Sequence, residues 1–140
     1  KGETLLCQSP TLKMPQRLFH HKKWFLPYAD GSFRIGASYD ESDLSEGPTN
    51  KQRDALLEAA RSALSERHEI SVEQHLAGIR PSSEDNRPIL GAHPTQPDLY
   101  IFNGLGSKGA SSGPLMAQTL CAALLDGEAL PKEVDITRFA

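Results

Sequence analysis

Apolar and polar positions change rhythm several times along the chain, and each change marks an element. Gly2 to Ser9 reads as one strand, and Pro10 and Pro15 interrupt the segment after it. Phe19 to Pro27 and Phe33 to Tyr39 form the arms of a hairpin around Ala29-Asp30-Gly31-Ser32, because Asp-Gly supplies the positive backbone angles that tight hairpin turns need. An acidic loop, Asp40 to Pro48, leaves the sheet. Thr49 or Asn50 can cap a helix running to about Glu66, with Leu56, Leu57, Ala60 and Leu64 on one apolar stripe and Lys51, Arg53, Glu58 and Arg61 outside it. Ile70 to Arg80 reads as a strand, Ser82 to Arg87 as a polar turn, and Pro88 to Ala92 as a short extended stretch. Leu99 to Phe102 is expected as a short buried strand that runs into a glycine-rich turn. Pro114 is expected to open a helix ending at Leu125, with Gly127 stopping it, since Pro favours the first helical position and Gly the one past the last.

The alternation of strands with two helices predicts an α+β fold, and 140 residues suffice for one ordinary domain. A composition of 38% hydrophobic and 24% charged residues is that of a globular chain, and no apolar run has the length of a membrane span. The first residue is Lys1 and no signal peptide is visible, so an internal boundary in a longer, cytoplasmic protein is expected. A net charge of -3 gives no basic footprint, so nucleic acid is not expected as a partner. Cys7 and Cys121 fall in apolar segments and are expected to be buried thiols; without a CxxC pair, a zinc ribbon or disulfide scaffold is not indicated. His20, His21, His68, His75 and His93 show no metal-ligand spacing, so no metal site is expected.

Gly104-Leu105-Gly106-Ser107-Lys108-Gly109 satisfies G-x-G-x-x-G, follows a strand and precedes a helix. A dinucleotide fingerprint also needs a second parallel strand ending in an acid. Asp126 has roughly the right offset but lies at a helix end, and the tail from Gly127 offers no clear strand. The turn is not a P-loop, because Lys108 precedes its glycine. It can still serve a cofactor: glycines allow close approach of a flat ligand, and the helix N-terminus behind them suits an electron-rich heteroaromatic edge such as a flavin pyrimidine. The simpler alternative is a glycine-rich connection with no ligand.

Arg80 follows an apolar strand and is held extended by Pro81, a placement that suits bidentate binding of a carboxylate. The simpler alternative is a surface Arg paired with Glu84 or Asp85. The wider stretch is more specific. Gly78-Ile79-Arg80-Pro81-Ser82-Ser83-Glu84-Asp85-Asn86-Arg87-Pro88-Ile89-Leu90-Gly91 resembles the G-[ILV]-R-P-x-[ST]-x-D-x-x-P-[IV]-[IL]-G motif of the D-amino-acid oxidase family of flavoproteins. Asn103 to Pro114 resembles that family's glycine turn before its last helix. Lys1-Gly2-Glu3-Thr4-Leu5 and Phe33-Arg34-Ile35-Gly36-Ala37-Ser38 are similar to its K-G-[EQ] and r-[IV]-G-A-[ST] strands.

The resemblance implies FAD as cofactor, held mainly by an N-terminal Rossmann segment that this sequence lacks. It implies that residues 1–77 are part of a substrate-binding domain built on a mostly antiparallel mixed sheet with a packed helix. Residues 78–140 would return to the Rossmann-like FAD domain as its strand-turn-helix. Arg80 matches the family's carboxylate-binding, catalytically required arginine, and Leu105, Gly106, Ser107, Lys108, Gly109, Ala110 and Ser111 match the turn along the flavin. Trp24 and Tyr39 fall at hairpin positions that line the substrate pocket, and a two-residue Asp30-Gly31 turn would put Lys22, Trp24 and Tyr39 on one sheet face. The implied reaction is hydride transfer from the α-carbon of a small amine or amino acid to flavin, followed by imine hydrolysis. No protein nucleophile–base pair is required, and none is found. Ser107 stands where glycine oxidase carries Arg, and the Gly-Leu-Gly-Ser-Lys-Gly form is closer to the oxidase module of a bacterial enzyme that matures tRNA wobble uridines, which carries Arg where Lys108 stands. A free amino acid and a carboxymethylaminomethyl group on tRNA therefore both stay open, as does a non-catalytic domain binding an acidic ligand or a partner chain. The chain without its N-terminal segment is expected to be inactive.

Overall fold

The computed structural model describes residues 1–64 and 68–139. The chain divides into two compact units, Lys1–Ile79 and Arg80–Ala140. In the first, β1 (Gly2–Gln8), β2 (Phe19–His21), β3 (Lys23–Pro27), β4 (Phe33–Gly36) and β5 (Ser71–Gly78) form a five-stranded sheet in the order β2-β3-β4-β1-β5. Every pairing in it is antiparallel. Helix α1 (Asn50–Leu64) covers one face. The predicted helix end at Glu66 lies outside the described residues.

Alternation along the strands sends Leu5, Cys7, Phe25, Phe33 and Ile35 to the helix side, where they meet Leu56, Leu57, Ala59 and Ala60 in one core. Phe19 stacks on Phe25 with ring centroids 4.7 Å apart. The opposite face carries Thr4, Leu6, Trp24, Leu26 and Arg34. Arg34 reaches across it, donating to Thr4 Oγ1 at 3.2 Å and to Gln74 Oε1 at 3.3 Å. Trp24 pairs with Gly36, whose missing side chain makes room for its indole: a Cβ there would lie 2.8 Å from the ring and 2.7 Å from the Thr4 methyl.

Thr49 starts α1. Its hydroxyl accepts from the Gln52 amide at 3.3 Å and donates to Glu3 at 3.0 Å, while its own amide donates to the same carboxylate at 2.9 Å. Glu3 is fully buried, and His75 Nε2 stands 2.8 Å from it, close but poorly aligned for a hydrogen bond. Burial opposes ionisation of Glu3, but the Thr49 donors and His75 prevail and hold its carboxyl below the usual range. Lys1 pins the acidic loop through Asp43 at 2.6 Å and the Gly47 carbonyl at 3.1 Å.

The hairpin differs from the sequence reading. Its loop has three residues, Ala29-Asp30-Gly31, closed by the Tyr28 amide donating to the Ser32 carbonyl at 2.9 Å, with Gly31 at φ +87°. Trp24 therefore faces Gly36 rather than Ala37. The first arm also breaks at Lys22, a bend residue with φ +57°, and the second arm ends at Gly36. Past Gly36 the partners of β1 shift by one, with Ser38 bonding Glu3 and Asp40 bonding Lys1. Period-two counting consequently cannot place Lys22, Trp24 and Tyr39 on one face. Tyr39 is exposed, and its hydroxyl donates to Glu41.

In the second unit, β6 (Ile89–Ala92) and β7 (Tyr100–Asn103) pair antiparallel. A single 3-10 turn over Gly106–Lys108 leads into α2 (Gly109–Leu125), and a second, Ile136–Phe139, ends the unit. The Leu90 amide donates to Val134 at 2.8 Å and brings the tail back to β6. Pro114 does not open α2 but lies inside it. Its fixed φ is helical and only the Ala110 carbonyl loses its donor, while Gly109, Ala110 and Gly113 keep the first turn uncrowded. Cys7 is buried as expected, but Cys121 is exposed on α2, which has no buried residue. No described helix is long and apolar enough to cross a membrane, and the described residues hold no group of three or more His, Cys, Asp and Glu able to bind a metal.

Candidate functional site

Arg80 and the glycine turn belong to the same unit, and backbone bonds join their segments. The Gly106 amide donates to the Pro81 carbonyl at 3.0 Å, and Ser82 and Leu105 form an antiparallel bridge. A motif that sequence could only place 25 positions from the turn thus lies against it. Glycines make the approach possible. Gly104 has φ +71°, and a Cβ there would meet the Arg87 carbonyl at 3.0 Å; Gly106 has φ +53°, and a Cβ there would meet Ser82 Oγ at 3.1 Å.

Arg80 is half-buried and makes no hydrogen bond or ion pair with the described residues. Asp85, one of its two alternative partners, is engaged elsewhere. Arg138 grips Asp85 through Nε at 2.8 Å and Nη2 at 3.2 Å, and also donates to the Arg87 carbonyl at 3.3 Å. The Arg138 fork, with Ser83 and the Arg87 amide, holds the Asp85 carboxyl far below the usual range against the opposing effect of burial. Ser82 and Arg138 were not singled out from the sequence, and Asp85 was named only as an alternative partner of Arg80. The Arg138–Asp85 bond spans 53 positions, and no local spacing announces it.

Beyond the bridge the chain turns through Gly106-Ser107-Lys108 into α2, so Gly109, Ala110 and Ser111 form the first turn of the helix rather than a loop before it. Ser111 and Ser112 each return a hydroxyl to the Lys108 carbonyl at 2.9 Å. No side chain caps the helix, whose N-terminus follows directly on the 3-10 turn and carries a partial positive charge. An uncapped helix start behind two positive-φ glycines fits the electron-rich edge of a flavin, with Leu105 to Ser111 as the residues that would hold it. Lys22, Trp24 and Tyr39 belong to the first unit, on the bend before β3, on β3 itself and beyond β4.

Residues 1–123 match the family described as DAO, FAD dependent oxidoreductase. Glycine oxidase of Bacillus subtilis (strain 168) is 23% identical over 128 residues, covering 91% of this chain and 35% of the relative. The tRNA 5-methylaminomethyl-2-thiouridine biosynthesis bifunctional protein of Idiomarina loihiensis is 28% identical over 143 residues, covering 99% of this chain and 23% of the relative. Among solved structures, iminodiacetate oxidase from Chelativorans sp. BNC1 superposes with a TM-score of 0.74 at 25% identity, over 94% of this chain and 37% of that one. L-proline dehydrogenase from P. horikoshii gives 0.78 at 18% identity, over 99% and 39%, and supports the fold. The chain therefore spans between about a quarter and two fifths of these proteins, and it belongs to the DAO family of FAD-dependent oxidoreductases.

Proposed function

We propose that this chain is the C-terminal part of an FAD-dependent oxidoreductase that oxidises the C–N bond of a small amine or amino acid. One observation carries the reading: an Arg80 without a partner among the described residues, on a segment hydrogen-bonded to the glycine turn through Gly106 and Pro81. Residues 1–77 contribute to the substrate domain, and residues 78–140 return to the FAD domain, whose main part is an N-terminal segment.

Arg80 binds the substrate carboxylate with two parallel N–H donors, which fixes the α-carbon in place. The N-terminal end of α2 and the turn from Leu105 to Ser111 would hold the flavin edge, where the helix's partial positive charge would favour an anionic reduced flavin. Bound FAD supplies the two-electron acceptor for the α-hydride. In this reading Trp24, Tyr39 and Lys22 are substrate-binding residues of the substrate domain. No residue of the chain needs to act as nucleophile.

In the full-length flavoprotein, Arg80→Ala lowers kcat/KM for carboxylate-bearing amines roughly 100- to 10,000-fold, since each of its two hydrogen bonds to a charged group contributes about 1.5–3 kcal/mol. Flavin stays bound, and amines without a carboxylate are unaffected. An unchanged kcat/KM would remove Arg80 from the substrate site.

A second reading is favoured by the Gly-Leu-Gly-Ser-Lys-Gly turn and by the tRNA-maturing relatives that match nearly the whole chain. Here the amine is a carboxymethylaminomethyl group carried on tRNA, and Arg80 binds its carboxylate in the same way. Supplying tRNA that bears this group beside free amino acids separates the two readings by which is consumed.

A further inference from the structure

Ser82 to Arg87 join the Arg80 segment to β6, and both ends of this loop rest on the glycine turn. At its start Ser82 bridges Leu105, next to the Gly106–Pro81 bond of 3.0 Å. At its end the Arg87 carbonyl lies 3.0 Å from where a Gly104 Cβ would stand, and Ile89 pairs with Asn103. Between these ends the loop closes on itself. The Asn86 amide donates to the Ser83 carbonyl at 3.1 Å. Ser83 Oγ accepts from the Arg87 amide at 3.0 Å, and its one proton is shared between Asp85 Oδ1 at 2.8 Å and the Arg87 carbonyl at 2.6 Å.

Among the described residues, Arg138 is the side chain that hydrogen-bonds this loop from outside it. Its fork takes both Asp85 oxygens, at 2.8 and 3.2 Å, and Nη2 reaches the Arg87 carbonyl at 3.3 Å. The guanidinium is itself fixed. Nη1 donates to the Asp135 carbonyl at 3.0 Å, and the group lies 4.3 Å over the Phe139 ring. Its segment is pinned to β6 by the Leu90–Val134 bond of 2.8 Å and by a parallel bridge between Leu90 and Asp135. The Arg138 side chain is only 15% exposed, so this is a sheltered fork on a carboxylate and not a solvated ion pair. Without it, Asp85 would keep only the Ser83 hydroxyl and the Arg87 amide.

We propose that Arg138 is a positioning residue: by fixing Asp85 and the Arg87 carbonyl, it holds the loop in the shape that sets the Arg80 segment against the glycine turn. It acts through Asp85 and Arg87 and not on the substrate. A lysine is a poor replacement, because a point ammonium cannot present the planar fork that meets both Asp85 oxygens. The effect on turnover rests on the proposed role of Arg80, whereas the effect on the loop does not.

The test uses full-length flavoprotein with saturating FAD. Hydrogen–deuterium exchange, read by mass spectrometry on peptides spanning 82–87 and 103–109, compares wild type with Arg138→Gln, Arg138→Lys, Asp85→Asn and Arg138→Gln/Asp85→Asn. Arg138→Gln speeds exchange in both peptides roughly tenfold, Arg138→Lys speeds it less, and β1 keeps its wild-type exchange. Asp85→Asn reads the same contact from its other side, and the double variant exchanges no faster than Arg138→Gln, because the two residues act as a unit. In turnover, Arg138→Gln raises KM for a carboxylate-bearing amine roughly tenfold with a smaller change in kcat, Arg138→Lys recovers part of the loss, and an amine without a carboxylate keeps its wild-type kcat/KM. Unchanged exchange at 103–109, exchange that rises equally in β1, additive single effects, or a loss shared equally by both amines would overturn the proposal. Faster exchange in both peptides beside wild-type turnover of Arg80→Ala refutes the proposed role of Arg80 alone. A large loss in Arg80→Ala with unchanged exchange in Arg138→Gln refutes the clamp alone.

Discussion

At Gly104 the backbone leaves no room for a side chain. Its φ of +71° is one that other residues adopt with strain, and the space a Cβ would fill is bounded by the Arg87 carbonyl at 3.0 Å and the Ile89 amide nitrogen at 3.2 Å. Gly104→Ala is therefore expected to cost about 1–3 kcal/mol, seen as a lower urea midpoint with an unchanged m-value; an unshifted midpoint would mean that the turn relaxes freely. Cys7 illustrates a different constraint. Burial pushes its thiol up to about 11, so it is a packing residue and not a nucleophile. The residues proposed to carry chemistry were legible in the sequence as motif positions, Arg80 beside Pro81 and the glycines before α2. Their partners were not. The Gly106–Pro81 bond and the Arg138 fork on Asp85 join distant positions, and nothing in the local pattern specifies which acid a given Arg will take.

Elements were legible where period and turn chemistry agreed. Asp30-Gly31 announced the hairpin, and Thr49 announced the start of α1. Register was lost because Ala29 joins the loop and the chain slips again after Gly36, and each one-residue shift reverses the faces of all later positions in the arm. Pro114 misled because Pro at the first helical position is a preference that small neighbours can override. The element-level tie of greatest consequence is Glu3, which joins β1 to the start of α1 and stands against His75 of β5. Its carboxyl, like those of Asp43 and Asp85, is held below the ordinary range in the fold. The folded state thus favours the ionised forms, and the resulting stability is in place above the unfolded carboxylate pKa of about 4 and fades as pH falls below it. Thermal unfolding between about pH 6 and 3 is expected to show that decline. Glu3→Gln lowers the melting temperature at neutral pH and flattens the decline; an equally steep profile in the variant would exclude Glu3 as a source.

For the whole molecule, the decisive quantity is the share of the family architecture that this chain provides. It spans 35% of the Bacillus subtilis glycine oxidase it resembles. Its second unit offers a two-stranded sheet and an α2 with no buried residue. The glycine turn could contact only one side of a flavin. The 140-residue chain alone is therefore expected to bind FAD weakly or not at all, while the full-length protein purifies yellow. A full-length protein that stays colourless and cannot be reconstituted with FAD would defeat the proposed function.

Trp24 is the sole tryptophan of the sequence, and its indole lies over Gly36 beside Thr4, between neighbouring strands on the side of the sheet away from α1. The protein therefore carries its own optical probe. In these 140 residues, emission excited in the indole band arises from one site, and its wavelength reports how far water reaches the indole as β3 and β4 come apart. Urea and acid titrations of this chain can follow the first unit by that signal alone.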